Sequence, residues 1–291
     1  DIAEKNNAGY TQSTILEEVD MDRYRIKPGN SVKLIDFNPD DKGDWKDKKD
    51  EAKDRLLELN KELSDNQELL YAEHKHKILI VIQAMDTGGK DGTIRAVFEG
   101  VNPQGVRVAN FKVPTLPELD HDYLWRVHSQ VPGKGELVIF NRSHYEDVLV
   151  VRVHHLVPEE VWMRRYRHMV EFERLLAEEG TTILKFYLHI DLDTQKERLI
   201  ERIDDPQKQW KFNPADLGER KLWGKYMDAY EEMLEKTSTE VAPWYVIPAN
   251  SNWYRNLVVA QVVVDTLKGL DMQYPRPAEN LAGYKATLLS E

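Results

Sequence analysis

Lys77-Ile-Leu-Ile-Val-Ile-Gln-Ala-Met-Asp86-Thr87-Gly88-Gly89-Lys90-Asp91-Gly92-Thr93 carries an unbroken apolar strand straight into a glycine pair and a lysine, which is how a phosphate-binding loop begins. Ile78 to Ile82 show no polar alternation, as expected of a strand buried on both faces of a parallel sheet. Gly88 and Gly89 let the backbone turn its N–H groups toward an anion, and Lys90 adds a point charge at the start of the next helix. The spacing from Ala84 to Gly89 and Lys90 matches the P-loop pattern except at two places. Ala84 stands for the first glycine, and Asp91 takes the slot where Ser or Thr would hold Mg²⁺, with Thr93 two residues later. The residues Thr87 to Thr93 are the candidate phosphate contacts. Asp86 lies inside the loop, where a bare carboxylate would be repelled by phosphate unless a cation lay between them. That position implies a Mg²⁺ ion bridged by Asp86. A purely structural glycine-rich turn is the plainer alternative, but it leaves the lysine and the spacing unexplained.

The 291 residues are enough for one large α/β domain with a sizeable core, and 41% hydrophobic with 31% charged residues is an ordinary globular balance. No apolar run is long enough to cross a bilayer, and the N-terminus lacks the charged-then-apolar pattern of a secretory signal. A cytoplasmic setting without membrane contact is the expectation. The absence of cysteine excludes disulfides, thiolate chemistry and sulfur-ligated metals. A net charge of -11 argues against nucleic-acid binding, so any polyanion must be held by a local basic site. Among the nine histidines, His74/His76 and His154/His155 are neighbours. Residues one or two apart do not share a helix face, and no carboxylate spacing completes a metal site, so these read as surface or packing residues.

On the N-terminal side of the loop, residues 1–40 show no sustained period and Pro28-Gly29-Asn30 marks a turn, so an irregular arm over the main domain is expected. From Trp45 to Tyr71, Ala52, Leu56, Leu59, Leu63 and Leu70 recur at helical spacing. This narrow apolar seam needs a partner, either its own domain or a second subunit. On the other side, a helix over 89–98 is followed by a strand from Val106 to Phe111. Lys112-Val113-Pro114-Thr115-Leu116-Pro117 then forms a rigid loop at that strand's carboxyl end, where open α/β sheets place ligands. A helix is expected over His121 to Val131, bearing Trp125 and Arg126.

Leu137 to Phe140 is the third strand, and it delivers Asn141-Arg142-Ser143-His144-Tyr145-Glu146-Asp147. In P-loop folds the strand beside the first usually ends in an acidic residue serving Mg²⁺. Here that residue is Asn141, so metal duties fall to Asp86 and, through water, to Glu146 or Asp147. Arg142 would sit beside the phosphates and could stabilise charge as a phosphoryl group moves.

Pro158 to Glu179 reads as a long amphipathic helix whose Arg164, Arg165 and Arg167 face solvent or a subunit. Thr182 to Ile190 is the fourth strand, and Thr194-Gln-Lys-Glu197 has the spacing of a capping box. Arg198 and Arg202, four apart, share one helix face. That helix stops at Asp204-Asp205-Pro206, Lys208 and Lys211 follow, and Asn213 as cap with Pro214 at the first helical position launches the next helix. A helix, a break and a helix between two strands is the architecture of a mobile lid that carries cations over phosphates. Taken alone, an i,i+4 arginine pair is more often surface decoration. A helix over 219–236, a fifth strand at Trp244 to Pro248, a helix capped by Asn252 and an extended tail with Pro275 and Pro277 complete the chain.

Together these motifs resemble the polyphosphate kinase 2 family from about Arg25 to Leu270. The resemblance is carried by Gln83-Ala-Met-Asp-Thr-Gly-Gly-Lys-Asp-Gly-Thr93, His121-Asp-Tyr-Leu-Trp-Arg126, Phe140-Asn-Arg-Ser-His-Tyr-Glu-Asp-Val-Leu149 and Asp205-Pro-Gln-Lys-Gln-Trp-Lys211. Other classes of the family carry Asp at the position of Asn141 and differ at Glu146, so these two residues resemble class III, the polyphosphate-dependent AMP/ADP phosphotransferases. The resemblance implies a three-layer α/β P-loop kinase fold, thymidylate-kinase-like, with a five-stranded parallel sheet and a helical lid. Residues 1–75 would be an arm and helix packed on the core, 76–270 the kinase domain with its lid at about 194–218, and 271–291 a tail.

The resemblance further implies inorganic polyphosphate as donor, AMP and ADP as acceptors, ADP and ATP as products, and Mg²⁺ as cofactor. An ATP-dependent nucleoside monophosphate kinase would share the fold and loop and is the alternative. Carried onto this sequence, Asp86 and Lys90 would bind metal and phosphate, Asn141 and Arg142 would position the transferring group, and Glu146 would serve the nucleotide or a second metal. Arg126, Arg198, Arg202, Lys208 and Lys211 would hold the phosphate chain. Lys112, Val113, Pro114, Thr115 and Asp147 would lie near the nucleotide. The chain lacks an Asn/Thr-Lys-x-Asp guanine-reading motif, which argues against a GTPase switch. The N-terminal helix and the arginine-rich helix make a homo-oligomer, dimer or tetramer, the expectation.

Overall fold

A computed structural model describes residues 19–277 and 279–290. The chain runs α1 (Lys49–Glu73), β1 (Lys77–Ala84), α2 (Lys90–Val97), β2 (Val106–Asn110), α3 (Leu116–Leu119), α4 (Trp125–His128), β3 (Leu137–Asn141), α5 (Val150–Val153) and α6 (Glu159–Glu178). It continues through β4 (Thr181–His189), α7 (Leu192–Asp204), α8 (Asp216–Lys221), α9 (Trp223–Thr237), β5 (Trp244–Pro248), α10 (Asn252–Lys268) and α11 (Leu281–Ser290). The expected arm falls partly outside the described residues, which begin at Val19.

The five strands form one parallel sheet in the order β2-β3-β1-β4-β5, as the apolar runs predict. Successive side chains of a strand point to opposite faces, and β1 feeds two cores accordingly. Ile78, Ile80 and Ile82 pack with α1 and α10 on one face, whereas Leu79 and Val81 pack with Phe140, α6 and α9 on the other. That double burial is why β1 carries no polar residue from Ile78 to Ile82, its one lysine, Lys77, standing at the less buried start of the strand. The chain leaves β1 for β2, two places away, and later reaches β4 on the opposite side. The carboxyl ends of β1 and β3 therefore border the crevice where such sheets bind ligands.

The seam of α1 is satisfied within the chain: Ala52, Leu59, Leu63 and Leu70 are buried in the core that α10 completes. It is not left open for a subunit. Several local readings need correction. The helix expected over 121–131 is one turn, α4, because Asp122 Oδ1 accepts from Leu124 N–H at 2.9 Å and makes a turn there instead. The loop after β2 contains α3, whose start is fixed by Thr115 and Glu118 in a capping box.

α7 begins at Leu192, capped by Asp191, whose Oδ1 accepts from Thr194 N–H at 2.7 Å. Thr194 is thus inside the helix, and the expected box at Thr194 and Glu197 does not form. Asn213 accepts from Ala215 N–H at 3.1 Å, so Pro214 sits in a turn and α8 starts later, at Asp216. The tail read as extended carries α11. Among the described residues no helix is long and apolar enough to cross a membrane.

Candidate active site

Between β1 and α2 the backbone makes a tight turn that only small residues permit. Gly88 N–H donates to Met85 C=O at 2.9 Å, and a Cβ on Gly88 would lie 2.5 Å from the Ala84 methyl. Gly89 has φ +97°, and a Cβ there would stand 2.0 Å from Arg255 Nη1. Thr87 also adopts positive φ, at 64°, which is uncommon for a residue with a side chain. Its hydroxyl is buried without a hydrogen-bond partner. α2 starts immediately afterwards, so the N–H groups of its first turn lack intrahelical partners and face the crevice with the positive end of the helix dipole.

The loop forms one wall of a cleft of about 780 Å³. Asn141 and Arg142 enter it from the end of β3, Lys112 from the end of β2, and Arg198, Arg202, Lys208 and Lys211 from the α7–α8 segment. Nine basic side chains line the cleft against four acidic ones, in a chain whose net charge is -11. This concentration of positive charge is the local basic site that the acidic composition demands of any polyanion binder.

At its centre, Arg142 Nη2 lies 2.9 Å from Asp86 Oδ1 and its Nη1 3.3 Å from Glu146 Oε2. Burial opposes the Arg142 charge, but Glu146 and Asp86 outweigh it and raise its pKa. Glu146 is thereby turned to Arg142 and lies outside the cleft lining. Lys90 donates to Ala84 C=O at 2.9 Å. Desolvation, with repulsion from Arg142, brings its ammonium down to about 8 despite nearby Asp86. Asn141 Nδ2 donates to Asp91 Oδ1 at 2.8 Å, and Lys211 stands 3.8 Å from the same carboxylate's other oxygen.

The cationic residues of the α7–α8 segment are unequal. Lys208 is paired with Glu201 and Asp205, and Arg202 lies 3.5 Å from Asp216. Burial and the nearby Asp86 charge raise the Asp216 carboxyl. Arg198 is committed to the protein itself: it donates to Thr87 C=O at 3.0 Å, Ala249 C=O at 2.6 Å, Asn250 C=O at 2.9 Å and Asn252 Oδ1 at 3.0 Å. Gln195, one turn earlier, donates to Asp86 C=O at 3.2 Å. Two residues of α7 therefore hold two consecutive carbonyls of the loop.

Some expected contacts lie elsewhere. Arg126 donates to Lys112 C=O at 2.8 Å and covers the Phe111 ring, so it braces the β2 loop from behind the cleft. Thr93 spends its hydroxyl on Gly89 C=O at 3.1 Å, one helical turn back. Thr115 is occupied as the α3 cap, and Val113 projects to solvent at 89% exposure; with Pro114 they fall outside the lining. Asp147 is buried against Arg165 at 2.8 Å and falls outside the lining, and Arg165 is held there instead of facing solvent. Among the described residues no cluster of three histidine or acidic side chains could hold a metal alone.

Arg255 and Arg95 line the cleft and were not singled out by motif. Arg255 left a faint signal, being the only charge between Asn252 and Val264 in an otherwise apolar helix. Asn252, read as a cap, is the first residue of α10 and accepts from both Arg198 and Arg255.

The polyphosphate kinase 2 family model matches residues 46–275. The chain is 63% identical to the AMP/ADP-polyphosphate phosphotransferase of Meiothermus ruber, over 88% of this chain and 96% of that protein. It is 44% identical to the ADP-polyphosphate phosphotransferase of Rhodopseudomonas palustris, over 87% and 91%. Among solved structures, polyphosphate kinase 2 from Arthrobacter aurescens TC1 superimposes with a TM-score of 0.89 at 41% identity, over 92% of this chain and 96% of that one. With the matched segment reaching from before α1 to beyond α10, the chain belongs to the polyphosphate kinase 2 family.

Proposed function

We propose that this chain transfers the terminal phosphoryl group of inorganic polyphosphate to AMP and to ADP, giving ADP and ATP. The observation that carries the reading is the basic cleft built on a glycine loop and a helix N-terminus. The names of the relatives, which act on AMP and ADP or on ADP with polyphosphate, agree with it.

In the proposed reaction the bond between the terminal phosphorus and its bridging oxygen breaks. A new bond forms to an oxygen of the acceptor's last phosphate, and the shortened polyphosphate keeps the bridging oxygen. Such a transfer needs alignment and compensation of charge more than covalent help. Lys90 and the first-turn amides of α2 would hold the terminal phosphate, and Arg142 would follow the charge as it moves between donor and acceptor. Arg202, Lys208 and Lys211 would close over the donor as a lid, and Lys112 would lie on the acceptor side. Asn141 would keep Asp91 turned away from the phosphates. Arg198 would act through the loop, by fixing the carbonyls of Thr87 and its neighbours.

The donor set fits a hard cation. Mg²⁺ is commonly held by one or two carboxylates together with substrate phosphates, so a single Asp86 at the mouth of the loop suffices without an all-protein cage. When bound there, Mg²⁺ would offset the mutual repulsion of the two polyanions. Asp86 would hold it, and Glu146, paired with the other nitrogen of Arg142, would reach it only through water.

The test is a comparison of donors. Polyphosphate with AMP or with ADP should yield ADP and ATP in the presence of Mg²⁺. Product with ATP as the sole donor and none with polyphosphate would favour the monophosphate kinase reading instead.

A further inference from the structure

We propose that the polyphosphate chain does not end at the loop but continues behind it, along a basic floor made by Arg255 and Arg95 between α2 and α10. This deepens the donor reading above and rests on it. The cleft at the loop and a second cavity of about 680 Å³ share Gly92, Arg95, Asn252 and Arg255 as walls, so one opens beside the other. A linear donor whose last phosphate is seated on the loop must lead away from it. The α7–α8 cations form only the roof of that path.

Arg255 is built as a floor. It is 2% exposed, and its guanidinium lies against the backbone of Gly89, with Nη2 3.5 Å from where a Cβ on Gly92 would stand. Its hydrogen bonds go to neutral amide oxygens: Nη1 to Asn252 Oδ1 at 2.7 Å, and Nε and Nη2 to Asn256 Oδ1 at 3.1 and 2.9 Å. Among the described residues no carboxylate pairs with it. Burial, and repulsion from neighbouring Arg198, bring it down to about 9. A buried cation next to a second cation, without an acid, is unfavourable until an anion arrives.

Arg95 lies three residues beyond Gly92, on the same face of α2. It is exposed, lines both cavities, and has no ion pair among the described residues. Glu99, one turn further on, lines only the second cavity and marks the acidic end of the floor. The path is basic near the loop, and Glu99 at its far end would repel phosphate, so the chain would run over Arg95 and leave to solvent before reaching that carboxylate.

Titration calorimetry with tripolyphosphate and with a long-chain polyphosphate, at one salt concentration, separates floor from loop. Wild-type transfer to AMP is assayed in parallel. Arg95→Gln should weaken long-chain binding about tenfold and tripolyphosphate binding less than about twofold, because only a long donor reaches it. Arg255→Gln should weaken both, and Arg255→Lys should recover part of each. Unchanged long-chain affinity in Arg95→Gln, or equal loss for both lengths, overturns the floor while wild-type turnover leaves the donor reading standing. A wild-type protein that neither binds nor consumes polyphosphate overturns both. Should Arg255→Gln fail to fold, the exposed Arg95 decides the matter alone.

Discussion

Arg142 Nη2 is ion-paired with Asp86 Oδ1 at 2.9 Å, joining the residue after β3 to the loop after β1. The same guanidinium reaches Glu146, so one cation keeps two carboxylates from facing the crevice bare. Its position depends on backbone as well as charge. Arg142 has φ +60°, and its N–H donates to Ile82 C=O at 3.2 Å. The turn that follows is anchored in the core, where Tyr145 hydrogen-bonds Glu173.

Arg142→Lys keeps the charge and loses the fork, since an ammonium cannot bridge Asp86, Glu146 and a phosphate in one plane. Turnover with polyphosphate and AMP is expected to fall about 10²- to 10³-fold, with a much smaller change in KM for either substrate. Steady-state kinetics check this. A loss confined to KM would assign Arg142 to ground-state binding instead.

Lys90 gives the pH dependence. Its pKa is lowered to about 8 by desolvation and by Arg142, so the free protein carries a charged Lys90 below that pH and a neutral one above it. A phosphate needs the charged form. The rate constant kcat/KM for polyphosphate should therefore be level below about pH 8 and fall about tenfold per pH unit above it. Bound phosphate stabilises the ammonium, so the kcat profile should turn down at higher pH. In Lys90→Arg the alkaline limb should vanish, at reduced rate. An alkaline limb that persists in Lys90→Arg would assign it to another group.

The sheet and the phosphate loop were legible because their signals are local. Five buried strands read as apolar runs, and a loop fixed by glycines announces itself in its spacing. Partnerships across the fold were not. Arg165 lies on an amphipathic helix among other arginines, and nothing in its neighbours marks it as the partner of Asp147, 18 residues earlier. Arg198 has the spacing of a cation aimed at ligand, yet its donors are consumed by backbone oxygens of two separate segments, at Thr87 and at Ala249 and Asn250, and by the side chain of Asn252. The start of α7 was misplaced for a similar reason. Asp191 outcompetes Thr194 as cap, helped by Asn250 Nδ2, which donates to Asp191 Oδ2 at 2.7 Å.

Arg198→Lys tests that correction. A lysine retains the charge but cannot donate to Thr87, Ala249 and Asn250 together. If Arg198 braces the loop, kcat/KM should fall about tenfold or more for tripolyphosphate and long-chain polyphosphate alike. A defect seen with long chains only would make Arg198 a chain ligand after all.

Behind the site, Lys185 is fully buried and donates to Glu173 Oε2 at 2.6 Å, Tyr145 Oη at 2.9 Å and Thr237 C=O at 2.7 Å. Burial disfavours its charge and Glu173 only partly restores it, so the Lys185 pKa lies below its usual value. Lys185→Met leaves Glu173 as a buried carboxylate and should cost about 3–5 kcal/mol of stability. Lys185→Met with Glu173→Leu removes both charges and should recover most of that loss. Denaturant unfolding of the two single variants and the double variant measures the coupling. Additive losses would mean that the pair contributes as packing and not as a charge pair.

Gly88 and Gly89 differ in why they are glycine, and their alanine variants should differ accordingly. Gly89→Ala meets a positive φ, costing about 1–2 kcal/mol, and also displaces Arg255 from the loop. No change elsewhere in the loop relieves the backbone strain. Gly88 has no such φ, and an added methyl there collides chiefly with the Ala84 methyl at 2.5 Å and with Met85 C=O at 2.9 Å. Ala84 occupies the position where the P-loop pattern has glycine. Ala84→Gly should therefore restore part of the activity and melting temperature lost in Gly88→Ala, and restore nothing in Gly89→Ala. Rescue of both variants, or of neither, would mean that the loop adjusts as a unit and that the Ala84 contact does not set its shape.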